Sequence, residues 1–176
     1  MNIESIWISN IKNHREQSRF CLEHLALMCE KYYDYKVKEN EIKRSEYGKP
    51  YFADEKAPHF NISHSREKAV IVVDDEPCGV DVEKLKLPVF NVAERFFAKR
   101  EKEWIYEAET DEEKAERFCR IWTGKESYTK MLGCGLTMEL DSFCVLDEEI
   151  SSLLKYYIED GYLICICSEK NRAGGN

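Results

Sequence analysis

The chain has 176 residues, of which 43% are hydrophobic and 34% charged, and its formal net charge is -8. This much apolar material excludes wholesale disorder, and the length indicates one domain or two tightly packed halves. An acidic chain lacks the basic face that generic nucleic-acid or anionic-membrane binding requires, so we expect neither partner. No uncharged apolar run approaches the roughly 18 residues that a membrane span needs.

The N-terminus, MNIESIWISNIKNHR, shows no basic-then-apolar signal pattern, so we expect a cytoplasmic protein. Eight cysteines are spread along the chain without a Cys-x-x-Cys pair, and only four histidines accompany them. This spacing does not favour a zinc site. We therefore interpret the cysteines as reduced and mostly buried small hydrophobes.

Elements of the first part follow from periodicity and turn signals. A short strand is predicted over 3–9, and apolar residues at helical spacing predict a helix over about 11–35. The stretch YGKP at 47–50 predicts a turn. Extended segments are predicted at 60–63 and 69–74, and the second is a β-branched run typical of a buried strand.

The later part alternates turn, strand and helix signals. Its predicted elements are, in chain order, a turn at 74–79 that joins the preceding strand to a strand at 79–83 as a hairpin, helices at about 90–108 and 112–132, and strands at 154–159 and 162–168. Asp160-Gly161 between the last two strands is the signature of a type I′ hairpin turn. The outline is an α+β chain.

Two carboxylates lie on one face of the strand GVDVE at 79–83. Side chains alternate along a strand, so Asp81 and Glu83 project from one face while Val80 and Val82 enter the core. The carboxylates repel unless a cation lies between them, and Mg²⁺ prefers such hard oxygen ligands. A solvated outer strand face is the alternative.

A second group of polar residues lies in the predicted helix at 112–132. Trp122, Glu126 and Lys130 are spaced i, i+4, i+8 and stack along one face, with Lys125 and Thr129 in an adjacent stripe. A carboxylate between lysines is suited to completing a metal site, to binding a phosphate-bearing substrate or to acting as a base. The alternative is an ordinary surface Glu–Lys pair.

A third polar cluster, Ser63-His64-Ser65, lies at the end of a predicted strand. Hydroxyl and imidazole groups there are suited to phosphate oxygens, although a lone histidine is more often a satisfied structural residue. The chain has no G-x-S-x-G nucleophile elbow, so no hydrolase triad is predicted.

Five motifs in this order resemble the 4′-phosphopantetheinyl transferases of the surfactin-synthetase-activating type. They are GKP at 48–50, FNISHS at 60–65, GVDVE at 79–83, RFF at 95–97 with Glu101, and WTGKES at 122–127 with Lys130 and GCGL at 133–136. The resemblance covers roughly 44–146. It implies an α+β fold of two similar lobes packed as a pseudo-dimer, with coenzyme A between them. It also implies transfer of the phosphopantetheine arm to a serine of an apo acyl or peptidyl carrier protein, with release of adenosine 3′,5′-bisphosphate.

The resemblance also implies roles for individual residues. Asp81, Glu83 and Glu126 are the implied Mg²⁺ ligands, and Glu126 is also the implied base for the carrier serine. Lys130 is implied to neutralise the pyrophosphate of coenzyme A. The implied contacts to the phosphates of coenzyme A are Arg15, Lys49, Ser63, His64, Lys125 and Lys130. Trp122 is implied to pack beneath the site.

We expect three parts and a monomer. The predicted parts are an N-terminal lobe at 1–66, a C-terminal lobe with the metal site at 67–170 and a flexible tail at 171–176. The first lobe is expected to be short, because only 14 residues precede Arg15. An acidic carrier requires a local basic or apolar docking surface, which we expect near Phe96-Phe97, Lys99-Arg100 and the helix that carries Lys125.

Two other functions use some of the same residues. A non-catalytic module that binds coenzyme A or a carrier protein is one alternative, but such a module does not require Asp81, Glu83, Glu126 and Lys130 together. A metal-dependent phosphohydrolase is the other, and the order of the five motifs argues against it.

Overall fold

The computed structural model describes residues 1–11, 13–38, 40–85, 90–135 and 138–173. The strands are β1 (Asn2–Trp7), β2 (Ile42–Arg44), β3 (Pro50–Phe52), β4 (His59–Ser65), β5 (Lys68–Asp74), β6 (Cys78–Lys84), β7 (Leu154–Glu159) and β8 (Tyr162–Ser168). The helices are α1 (His14–Tyr33), α2 (Phe90–Phe96), α3 (Lys99–Tyr106), α4 (Asp111–Leu132), α5 (Glu148–Ser151) and α6 (Lys170–Ala173), with a short 3₁₀ helix at Leu140–Ser142.

The described elements form two units of the same topology. One three-stranded antiparallel sheet has the order β1-β5-β4, and the other has the order β6-β8-β7. In each unit a strand leads to a long helix, α1 or α4, and the chain returns as a hairpin whose second strand lies in the middle of the sheet. The predicted α+β class is confirmed, and the repeated topology is that of two similar lobes.

Apolar clusters hold these layers together. In the first lobe, α1 packs Leu25 and Met28 against the face of β5 that carries Ile71. Val70, on the opposite face of β5, packs with Val80 and other residues of the second sheet, so a shared core joins the lobes. A third cluster lies under α2, α3 and α4. Burying each such side chain contributes about 1.5–3 kcal/mol relative to leaving it exposed.

The turn predictions at 47–50 and 160–161 are confirmed. Asp160 and Gly161 have φ values of 53° and 75°, as a type I′ turn between β7 and β8 requires. Gly48 lies between β2 and β3 with a φ of 85°. At the end of α4, Gly133 has a φ of 72° and donates its backbone N–H to the carbonyl of Thr129.

The predicted hairpin between β5 and β6 is wrong, although both strands are present. Both edges of β5 are hydrogen-bonded already, to β1 and to β4, while β6 pairs with β8 in the other sheet. The predicted lobe boundary at residue 66 falls in the turn between β4 and β5, two strands of one sheet. We therefore propose the boundary at 75–77 instead.

The helix predicted over 90–108 is two helices. Ala98 has an extended backbone, and the carboxylate of Glu101 accepts its backbone N–H at 2.8 Å, which starts α3. The predicted flexible tail at 171–176 also needs correction. Asn171 lies in α6 and donates to the carbonyls of Leu153 and Ile166 at 2.7 and 3.1 Å. Residues 174–176, and Leu136 of the GCGL motif, lie outside the described residues.

The cysteines follow the prediction for small hydrophobes. All but Cys134 are buried, and burial raises the pKa of Cys78 and of Cys165 to about 12. A thiol with so high a pKa is a poor nucleophile at neutral pH. Within the described ranges of the chain, no helix is long and apolar enough to cross a membrane.

Candidate active site between the two lobes

The seam between β4 of the first lobe and β6 of the second lobe brings serines to carboxylates. Ser63 Oγ donates to Asp81 Oδ1 at 2.8 Å, and Ser65 Oγ donates to Glu83 Oε2 at 3.0 Å. The earlier serine pairs with the earlier carboxylate and the later serine with the later one, so β4 and β6 run parallel at the seam. The predicted alternation on β6 is confirmed, because Val80 and Val82 belong to the core shared by the two sheets.

Two further features set the position of β6. Asn61 accepts the backbone N–H of Val80 at 2.9 Å through Oδ1, which gives the edge of β6 a partner from the first lobe. Gly79 lies directly under α4, since a Cβ added there would be 1.9 Å from the carbonyl oxygen of Ser127. Any larger residue at position 79 would push the helix away from the strand. This close approach sets Glu126 and Lys130 over the carboxylates of β6.

Lys130 makes the closest charge contact in the seam. Its Nζ lies 2.6 Å from Asp81 Oδ1 and 3.2 Å from Ser63 Oγ. The other carboxylate oxygen of Asp81, Oδ2, is buried and has no hydrogen-bond partner. A buried oxygen without a partner costs about 1–3 kcal/mol, which is a reason to expect a ligand at this position.

Glu126 lies within electrostatic reach of the same groups. Burial raises the pKa of its carboxyl group, Lys130 opposes that rise, and the charges of Asp81 and Glu83 add to it. The predicted three carboxylates are therefore close enough to interact, with one lysine among them. A glutamate with a raised pKa is a stronger proton acceptor than an exposed one.

The carboxylate set suits a hard divalent cation. Asp81, Glu83 and Glu126 offer the oxygen ligands that Mg²⁺ prefers, and the unpartnered Oδ2 of Asp81 offers a place for one. Among the residues described, no three His, Cys, Asp or Glu side chains are already grouped closely enough to hold a metal ion. Binding one ion to all three carboxylates therefore requires side-chain rotations.

The predicted contacts to coenzyme A near the end of β4 lie beside the start of α1. The rings of His14 and His64 meet edge to face, with centroids 5.9 Å apart. Burial lowers the pKa of His64, His14 and Lys130 lower it further, and Asp81 opposes them. Arg15 follows His14 in the first turn of α1 and is exposed. The structure thus brings the elements that carry Arg15, Ser63 and His64 together.

Lys49 is bound by backbone carbonyls. Its Nζ donates to the oxygens of Cys78 and Met131 at 3.2 and 3.1 Å, and burial lowers its pKa. Met131 is in the last turn of α4, where carbonyls without helical partners favour a cation. Lys49 therefore ties the β2–β3 loop to the end of α4, and its predicted contact with a phosphate stays a prediction.

Lys125 does not fit its predicted contact with coenzyme A. Its side chain is 0% exposed, and Nζ lies 2.8 Å from the equally buried carboxylate of Glu101. The carbonyls of Leu140 and Phe143, both at 2.7 Å, accept its other hydrogen bonds. Burial lowers the pKa of Lys125, and Glu101 opposes this. Lys125 is an internal structural group, and the prediction that it binds a phosphate is wrong.

The aromatic residues near α4 form a core. Trp122 packs against Phe96 and Phe97, with ring centroids 6.1 and 6.4 Å apart, as the packing role predicted. Phe97 is 1% exposed and cannot contact a carrier, so this part of the predicted docking surface is wrong. Lys99 is exposed and Arg100 pairs with Asp147 at 2.8 Å, so a basic contact at this segment stays a prediction.

Ser65 and Glu101 lie within the sequence motifs, but no individual role was predicted for either residue. Ser63 and Ser65 are two residues apart, as are Asp81 and Glu83. This equal spacing is the sequence signal that could have predicted two neighbouring strands with paired side chains. For Glu101, the signal is its place three residues after Ala98, the spacing at which a glutamate caps the start of a helix. The second partner of Glu101 is Lys125, which lies too far along the chain for a local sequence pattern to predict the contact.

Comparison with known proteins identifies the family. A family model described as the 4′-phosphopantetheinyl transferase superfamily matches residues 77–175, a segment that begins one residue before β6. This chain belongs to that superfamily. The resemblance predicted from the five motifs is confirmed.

Individual relatives carry the same name. The chain is 35% identical over 149 residues to the 4′-phosphopantetheinyl transferase Sfp of Bacillus subtilis (strain 168), covering 76% of this chain and 66% of the relative. It is 37% identical over 138 residues to the 4′-phosphopantetheinyl transferase ffp of Bacillus subtilis, covering 71% of this chain and 61% of the relative. The chain thus matches less than two thirds of the length of these relatives.

Proposed function

We propose that this protein transfers the 4′-phosphopantetheine arm of coenzyme A to a serine of an apo acyl or peptidyl carrier protein. Adenosine 3′,5′-bisphosphate is the second product. Membership of the superfamily supports the reaction class. The single observation that carries the proposal is the seam where Lys130 contacts Asp81 beside the half-buried side chain of Glu126.

The proposed reaction is a displacement at phosphorus. The hydroxyl oxygen of the carrier serine forms a new P–O bond to the phosphorus that carries the pantetheine arm, and the P–O bond to the departing nucleotide breaks. Glu126 accepts the proton of the serine, directly or through a water molecule. Mg²⁺ held by Asp81, Glu83 and Glu126 would stabilise the negative charge of the pyrophosphate.

Lys130 and the β4 residues complete the proposed site. Lys130 contacts the bridging phosphate oxygens and neutralises charge as the nucleotide leaves, which is the main requirement of phosphoryl transfer. Ser63 and His64, with Arg15 beside them on α1, bind the remaining phosphate oxygens. Lys49 is a further proposed phosphate contact, since only two of its three N–H donors have carbonyl partners in the described contacts.

The test is direct modification of a panel of apo-carrier proteins from fatty-acid, polyketide and nonribosomal-peptide systems. The full chain is incubated with coenzyme A, Mg²⁺ and each carrier, and the carrier is weighed by mass spectrometry. A mass gain equal to the phosphopantetheine arm, lost on removal of Mg²⁺, is the expected result. Coenzyme A binding without any mass gain would instead identify the non-catalytic binding module. The expected cytoplasmic, monomeric state is part of the same proposal, and gel filtration tests the monomer.

A further inference from the structure

We propose that Lys130 is an internal counter-ion that competes with the divalent metal for Asp81 and releases that carboxylate when an anionic substrate arrives. The proposal rests on the proposed function and adds a coupling between the two ligands. Metal and coenzyme A then bind in a mutually dependent way, and metal alone binds weakly.

The first ground is the geometry at Asp81. Lys130 Nζ contacts Asp81 Oδ1 at 2.6 Å, and Ser63 donates to the same oxygen, so this oxygen already has two partners. Oδ2 is buried without a partner, so it is the oxygen of this carboxylate that remains for a metal ion. Two cations on one carboxylate repel each other strongly where water is scarce. Lys130 therefore lowers metal affinity, whether or not its side chain is displaced.

The second ground is the balance of charge around Lys130. Its side chain is 29% exposed, whereas that of Asp81 is 8% exposed, so the lysine is the more accessible of the two groups to a ligand that arrives from solvent. The flexible four-carbon stem of a lysine allows its ammonium to swing between neighbouring anions. A bound pyrophosphate would offer Lys130 a doubly charged partner. Once Lys130 pairs with it, Asp81 is free to bind the metal fully.

Reciprocity follows from this exchange. If coenzyme A raises metal affinity by drawing Lys130 away, then metal must raise the affinity for coenzyme A by the same factor. Other charged groups act on the same site: Glu83 and Glu126 attract both cations, and His64 lies within electrostatic reach of Lys130. None of them contacts Asp81 as closely as Lys130 does in the described bonds.

The first lobe supplies a matched control pair. Lys31 in the last turn of α1 pairs with Glu4 of β1 at 3.4 Å, in the arrangement that Lys130 of α4 and Asp81 of β6 have in the second lobe. The neighbouring positions there lack the further carboxylates, because Ile6 and Leu27 stand where the second lobe has Glu83 and Glu126. Removing Lys31 removes the same kind of ion pair without touching a candidate metal site.

The test uses electron paramagnetic resonance to measure how tightly Mn²⁺ binds to the full chain without coenzyme A. Mn²⁺ is a paramagnetic substitute for Mg²⁺. Lys130→Met is expected to bind Mn²⁺ about tenfold more tightly than the wild type, the effect of losing one competing half-buried ion pair. Lys130→Arg, which keeps the charge, and Lys31→Met are expected to match the wild type. Adding coenzyme A is expected to tighten Mn²⁺ binding more in the wild type than in Lys130→Met.

The outcomes separate this inference from the proposed function. The proposed competition would be overturned if Lys130→Met binds Mn²⁺ no more tightly than the wild type. Lys130→Gln, a second folded variant, should then give the same result. The same result with carrier modification by the wild type intact would leave the proposed function standing. If Lys130→Met binds Mn²⁺ more tightly and the double variant with Lys130→Met and Asp81→Asn does not, then Asp81 is the carboxylate for which Lys130 and the metal compete.

Discussion

The two lobes share a chain order and a strand order, yet their long helices face different chemistry. Each helix ends at a residue in the left-handed conformation, Asp34 or Gly133, and each has a lysine three residues before it. In each lobe that lysine pairs with a carboxylate on the first strand of the sheet, Glu4 or Asp81.

The difference lies in what surrounds the pair. Lys31 is 61% exposed, and its 3.4 Å contact with Glu4 is the kind of surface ion pair that contributes about 0–1 kcal/mol. The pair of Lys130 and Asp81 is shorter and more buried, and Ser63 of the other lobe binds it. The same backbone arrangement therefore carries a surface contact in the first lobe and a candidate active site in the second.

The first prediction tests the residue that most distinguishes the lobes. Glu126→Gln keeps the side-chain volume but removes the charge and the basicity, so single-turnover transfer should slow about 10²- to 10⁴-fold. Affinity for coenzyme A should change much less, because the phosphate contacts of the first lobe remain. Leu27→Gln at the equivalent position of α1 is the matched control and should transfer normally. A rate for Glu126→Gln within tenfold of the wild type would exclude it as the base.

The second prediction concerns an internal ion pair that the first lobe lacks, since Ala26 stands at the position equivalent to Lys125. Glu101→Ala leaves the buried ammonium of Lys125 without its carboxylate and should lower the free energy of unfolding by about 3–5 kcal/mol. Urea denaturation measures the loss. Arg100→Ala breaks an exposed pair with Asp147 and should cost less than about 1 kcal/mol. Equal losses in the two variants would contradict the structural role of Lys125.

The third prediction tests whether the serines of β4 position the carboxylates of β6. Ser65→Ala removes the donor to Glu83 and should weaken Mn²⁺ affinity and the transfer rate together by about tenfold, since hydrogen bonds to charged groups contribute about 1.5–3 kcal/mol. Ser65→Thr keeps the hydroxyl and should restore much of both. Ser5→Ala, which removes a bond to Glu159 at the other seam between the lobes, should alter neither quantity.

The smallest expected effect is a pH dependence from His64. Its pKa is lowered by burial, His14 and Lys130, and a phosphate contact would raise it, so binding would take up a proton. Affinity for coenzyme A should therefore increase as pH falls from about 8 to 6, where the protonated form of His64 becomes accessible. Titration calorimetry in buffers of different ionisation enthalpy measures the proton uptake. His64→Gln should make the affinity for coenzyme A less dependent on pH than His14→Gln does. If the pH dependence of His64→Gln equals that of the wild type, a group other than His64 takes up the proton.

Local patterns predicted most elements because their causes are local. The β-branched run of β5, the Asp160-Gly161 turn and Gly133 at the end of α4 each act within a few residues. The pairing of β5 was not predictable, since a strand's partners depend on distant segments, and β1 and β4 leave it no free edge for β6. Burial of Lys125 was missed for the same reason: its carboxylate partner lies on another helix.

The central claim is that the seam between β4 and β6, and not its counterpart in the first lobe, carries the chemistry. The most direct measurement is single-turnover transfer to an apo-carrier protein by two paired variants, Asp81→Asn and Glu4→Gln. Each removes the carboxylate charge of one of the two equivalent ion pairs. Asp81→Asn should transfer about 10³-fold more slowly than the wild type, or slower still, with the fold intact, because it loses a group that stabilises transition-state charge. Glu4→Gln should transfer like the wild type. A rate for Asp81→Asn near the wild-type value, or an equal loss in both variants, would contradict the claim.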